Sequence, residues 1–87
     1  MTKQKKMQTA LIARINELCK EKGLSYYSLS YKSSMSLSTF LHIIDGSSKN
    51  PGIVTIGKIC DGFGITLKEF FDSEAFEEGI IEMRDEN

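Results

Sequence analysis

The side chains able to do covalent or metal chemistry are few and scattered. His42 is the only histidine, and the two cysteines, Cys19 and Cys60, stand 41 positions apart with no CxxC pair. That set supplies neither a zinc framework nor the disulfide ladder of a small secreted scaffold. Each cysteine falls on the inward stripe of its helix, so both are expected as reduced, buried thiols. No nucleophile stands with a general base, no carboxylate dyad has a cleft to share, and Gly62-x-Gly64 reads as a helix end rather than a phosphate-cradling loop. Neither an enzyme nor a cofactor nor a small-molecule ligand is expected. What remains is contact chemistry. The hydroxyl and amide groups at Ser25, Tyr26 and Ser36, each at the start of a helix, are suited to anions.

Charge divides the chain unevenly. Residues 1–68 carry ten Lys/Arg against four Asp/Glu, whereas residues 69–87 carry one Arg against eight Asp/Glu. The first part can approach a polyanion, and the tail would be repelled by one. At 87 residues the chain is one small domain with a short appendage. No apolar run reaches the roughly 18 residues of a membrane span, and MTKQKKMQTA has no apolar region behind its charge. A cytoplasmic protein with no membrane partner is the expectation.

The elements that must carry these groups are helices. Leu11, Ile12, Ile15, Leu18 and Cys19 share one face of a first helix over 7–22, stopped at Gly23. Ser25 is an N-cap for a short second helix over 26–33 whose inward residue is Leu29. Ser33-Ser34 is a turn, and Ser36 caps a third helix running to Asp45, with Phe40 and Ile43 inward and Gly46 at its close. Residues 46–52 form the clearest loop. A fourth helix over 54–63 places Ile56, Ile59, Cys60 and Phe63 on one stripe, and its Gly57 and Gly62 suggest the close approach of another element. Thr66-Leu-Lys-Glu69 is a capping box opening a fifth helix with Leu67, Phe70 and Phe71. Phe76, Ile80 and Met83 are spaced for a further helical extension that Gly79 interrupts. No stretch alternates with the period of a strand. The fold class is all-α, with a flexible basic N-terminus over 1–6, a domain over 7–72 and an acidic extension over 73–87.

Two helices joined by a tight turn inside a five-helix domain resemble the lambda-repressor/Cro-type helix-turn-helix, or XRE, family. The residues that carry the resemblance are Lys22-Gly-Leu-Ser25, Leu29, Ser36-x-Ser-Thr-Phe40, Ile43, Asp45-Gly46, Asn50-Pro51 and Ile65-Thr-Leu-Lys-Glu-Phe-Phe71. Ser30 stands where the family commonly has Ala, and Ser34 where it favours Gly in the turn. The resemblance implies a DNA-binding transcriptional regulator, repressor-like, with the third helix in the major groove of double-stranded DNA. By position, Leu37, Ser38, Leu41 and His42 would face the bases, and Ser25, Tyr26, Lys32, Ser36, Thr39, Lys49 and Asn50 the phosphates. From Ser36 to Asp45 there is no Lys, Arg, Asn or Gln to make a bidentate base contact. The leucines can touch thymine methyls, which points to A·T-rich sites.

Rival readings stand beside these. Lys3, Lys5 and Lys6 are either a solvated tail or an arm reaching a groove. Tyr26, Tyr27 and Tyr31 either pack over the first helix or touch phosphate. Leu37, Leu41 and Ile44, if exposed together, form an apolar stripe of the kind that marks a protein partner. The alternative function is then a protein-interaction module on the same fold, antirepressor- or antitoxin-like. Phe76, Ile80 and Met83 either fold back onto the fifth helix or pair with a second chain as a homodimer.

Overall fold

The computed structural model describes residues 3–48 and 51–77, with side chains from residue 7 onward. Five helices follow in order: α1 Lys3–Lys22, α2 Tyr26–Lys32, α3 Leu37–Ile44, α4 Ile53–Phe63 and α5 Leu67–Phe71. A further helical turn covers 74–77, and no strand occurs among the described residues. The all-α expectation holds. α1 begins at Lys3, four residues before the apolar periodicity places it. Lys and Gln are good helix formers, so the first turn needs no apolar face to be helical.

Each helix contributes one side chain with no exposed surface: Ile15, Leu29, Phe40, Ile59 and Phe70. Around these pack Leu11, Leu18, Cys19, Ile43, Cys60 and Phe63, all from the inward stripes. Cys19 and Cys60 are free and buried, and burial pushes both thiols above their ordinary range. The N-caps form as the sequence dictates. Ser25 Oγ accepts from the Ser28 amide, Ser36 Oγ from the Thr39 amide, and Thr66 and Glu69 complete the reciprocal capping box.

The α2–α3 turn is a Schellman motif. The Met35 amide donates to the Ser30 carbonyl and the Ser34 amide to the Tyr31 carbonyl. α1 and α4 end in the same pair of bonds around Gly23 and Gly64. Only the α2–α3 turn puts a side chain in the left-handed position, with Ser34 at φ +59°.

Two long-range features lock this arrangement. α2 packs on α4 where Gly62 leaves room: a Cβ there would fall inside contact distance of Ser33 Oγ, 3.0 Å from Leu29 Cδ1 and 3.2 Å from the Ser33 amide nitrogen. Gly57 differs from expectation, because nothing lies within 4 Å of a Cβ at that position. The second feature is Arg14, whose guanidinium donates to the carbonyls of Phe70 and Glu69, both at 2.7 Å, and so joins α1 to the end of α5. Phe76 then returns onto α5, its ring 5.8 Å from Phe70 and 4.8 Å from Phe71, and is buried. The fold-back reading therefore describes Phe76; Ile80 and Met83 lie outside the described residues. No helix among the described residues is long and apolar enough to cross a membrane.

Candidate nucleic-acid interface

α2, its turn and α3 form the candidate interface, and the inward residues fix its attitude. Phe40 and Ile43 seat α3 in the core. Tyr26 braces the unit from behind: its ring lies 5.5 Å from that of Phe40, and its hydroxyl donates to Asn16 Oδ1 of α1. One side chain thus ties α2 to both α1 and α3. The ring of Tyr26 therefore packs against the domain, and its backbone amide stands at the start of α2. Tyr27 and Tyr31, by contrast, are 66% and 78% exposed.

With about 100° of rotation per residue, Ser38 and Asp45 lie opposite the Phe40–Ile43 face and are flanked by Leu41 and His42. Ser38, Thr39 and His42 are exposed, as are Leu37 and Leu41 at 37% and 40%. The expected apolar stripe is shorter than three residues: Ile44 is half-buried against the core, leaving the two leucines. Ser25, Ser36 and Lys32 are exposed at the ends of the two helices. Ser25 Oγ donates to Ser28 Oγ at 3.1 Å, and Ser36 Oγ to Thr39 Oγ1 at 2.9 Å. In each relay the second hydroxyl accepts and so retains its own proton. Thr39 is in the expected set; Ser28 is not, and the Ser-x-x-Ser spacing it shares with the cap is the signal that finds it. Lys49 and Asn50 lie outside the described residues.

The loop after α3 is held from two sides. The Ser47 amide donates to Asp45 Oδ1 at 2.8 Å, and Ser47, aided by the nearby His42, keeps the Asp45 carboxyl below the usual carboxylate range. Gln8 of α1 donates to the carbonyls of Ser48 at 2.8 Å and Gly46 at 3.3 Å. Gln8 carries no sequence signal, since a polar residue on a long helix reads as solvated. No group of three or more His, Cys, Asp or Glu capable of holding a metal occurs among the described residues.

A family model described as the Cro/C1-type HTH DNA-binding domain matches residues 14–75. The chain belongs to that family. The match opens at Arg14, which ties α1 to α5, and within it α2 and α3 are the helix-turn-helix of a Cro/C1-type domain. Membership of a family of DNA-binding domains supports DNA binding in general terms. No curated protein and no solved structure matches the chain significantly.

Proposed function

We propose that this Cro/C1-type domain is a sequence-specific transcriptional regulator that lays α3 in the major groove and acts as a repressor by occupying its site. The observation that carries the reading is the outward face of α3. Ser38, Leu41 and His42 are exposed on a helix whose opposite side, Phe40 and Ile43, is fixed in the core. Base contact falls to Leu37, Ser38, Leu41 and His42. Phosphate contact falls to Ser25, the Tyr26 amide, Lys32, Ser36 and Thr39, with Lys49 and Asn50 from the following loop. One such face is small for tight binding, so two copies on adjacent half-sites complete the reading. Leu67 and Phe71, 40% and 39% exposed on α5, offer apolar surface for that pairing, with Ile80 and Met83 from the extension.

The test is duplex binding against salt. Affinity should fall with a log–log slope near −0.9 per neutralised phosphate. Replacing Lys32 and Lys49 together should lower the slope by about two without changing sequence preference, and replacing Ser38 or His42 should do the reverse. Absence of duplex binding at low salt refutes the proposal. A second reading, a protein-interaction module, is favoured by the exposure of Tyr27, Tyr31, Ile53 and Val54, each 60% or more. Under it, duplex binding is absent and Leu37→Ala/Leu41→Ala abolishes a protein complex.

A further inference from the structure

We infer that α3 draws most of its sequence preference from the C5-methyl groups of pyrimidines, met by Leu37 and Leu41, with only single hydrogen bonds from Ser38 and His42 to base edges. The inference rests on the proposed placement of α3 in the major groove. The whole helix, Leu-Ser-Thr-Phe-Leu-His-Ile-Ile, contains no Lys, Arg, Asn, Gln, Asp or Glu. None of the side chains that fork two hydrogen bonds to guanine or adenine is present. What α3 presents instead is Leu37 and Leu41, one turn apart on the same side and together the largest apolar surface it leaves exposed. The major groove offers a leucine one kind of apolar partner, the C5-methyl of thymine or of 5-methylcytosine. Set against an unmethylated C·G pair, the same leucine would cover the cytosine amino group and the guanine acceptors without bonding them, which is unfavourable.

Selection therefore works twice over, by burying methyls and by rejecting bare polar edges. The geometry also sets a spacing. Four residues of α-helix advance about 6 Å, close to two base steps of about 3.4 Å. Leu37 and Leu41 thus meet methyls about two steps apart, with the Ser38 hydroxyl and the His42 imidazole alongside them. Both leucines are positioned by a helix held at Phe40 and Ile43 and capped at Ser36, so the contact is made without rearranging the fold.

The experiment uses the full chain at low salt and four duplexes of equal length: alternating dA-dT, alternating dA-dU, alternating dG-dC, and alternating dG-dC with every cytosine 5-methylated. The dA-dT and dA-dU duplexes present identical hydrogen-bonding edges and differ only in the methyl. Burial of one methyl corresponds to about fourfold in affinity and two to about fifteenfold, so dA-dT should bind about 4–15 times more tightly than dA-dU. Leu37→Ala/Leu41→Ala should bring that ratio to about one, with retention of helix confirmed by circular dichroism. A gain confined to the dA-dT pair assigns thymine as the source of the methyl, and a matching gain in the methylated dG-dC duplex extends recognition to methylated cytosine. Equal, measurable binding to dA-dT and dA-dU overturns the inference and leaves the DNA-binding proposal standing. So does a dA-dT preference that survives in the double variant, which would mean the preference arises from duplex shape. Binding to none of the four removes the placement of α3 in a groove itself.

Discussion

Gly62 and Gly57 lie in the same helix, and substitution by alanine should move stability in opposite directions. At Gly57 nothing lies within 4 Å of the added Cβ. Gly57→Ala should therefore gain the helix-propensity difference, up to about 1 kcal/mol. At Gly62 the Cβ would overlap Ser33 Oγ and press on Leu29 Cδ1 at 3.0 Å. Ser33 is 1% exposed and cannot swing into solvent. Overpacking of this kind costs about 1–3 kcal/mol. The propensity gain offsets less than its full value in the last turn of α4, so Gly62→Ala should destabilise by about 1–2 kcal/mol. For a domain of this size that is a fall of about 4–16 °C in Tm.

The overlap has an identifiable source, and removing it should rescue the variant. Ser33 Oγ is buried with no hydrogen-bond partner. Ser33→Ala should thus be neutral or stabilising by about 1 kcal/mol, since an unsatisfied buried hydroxyl is lost. In Ser33→Ala/Gly62→Ala the remaining contacts are tight but tolerable, and the pair should be about as stable as Ser33→Ala alone. The coupling energy across the cycle should be at least about 1 kcal/mol. Thermal and urea unfolding followed at 222 nm on the four proteins, with Gly57→Ala as control, measures it. If Gly62→Ala proves as stabilising as Gly57→Ala, or the two changes simply add, the close approach of α2 to α4 is not what holds that face together.

Further outcomes are expected at Ser34, at Arg14 with its partner Glu17, and at Glu69. Ser34→Gly should stabilise by about 0.5–1 kcal/mol in urea unfolding, because relief of left-handed strain exceeds the extra entropy of glycine in the unfolded chain; a loss of stability would contradict the turn geometry at φ +59°. Arg14→Ala should cost about 2–3 kcal/mol through two charged bonds to the α5 carbonyls, and Arg14→Lys should recover only part of it, since an ammonium lacks the planar fork. Glu17→Ala, which removes only the exposed partner of Arg14, should stay within about 0.5 kcal/mol. The Thr66 amide and, secondarily, its hydroxyl hold the Glu69 carboxyl below its ordinary value of 4.5. Its contribution is therefore present above about pH 4.5 and lost as pH falls through the lower folded value, so Glu69→Gln should flatten the acid limb of a stability–pH curve while an unchanged limb would count against the capping box.

Most of the framework was legible because its causes are local. Ser25, Ser36 and Thr66 cap helices through bonds to amides three residues away, and the core stripes follow from helical periodicity alone. What was not legible depends on distant partners. Gln8 bonds carbonyls 38 and 40 positions away, so nothing in its neighbourhood marks it. Gly57 and Gly62 look alike in sequence and part company only where α2 arrives. At Tyr26 sequence alone leaves packing and phosphate contact in balance, and the ring lies against Phe40 while α1 supplies Asn16 for the hydroxyl. In the candidate site, exposure of Ser38, Leu41 and His42 followed from the placement of Phe40 and Ile43, whereas Ile44 was drawn inward by a core that extends further round α3 than two inward residues suggest.

Phe76 bears on where this domain can be cut. The family match ends at residue 75, one position before an aromatic ring wedged beside Phe70 and Phe71. A fragment trimmed at the family boundary would lose that ring and open a void beside the fully enclosed Phe70, at the end of α5 whose carbonyl Arg14 holds. Fusions, tags and minimal fragments should therefore retain residue 76.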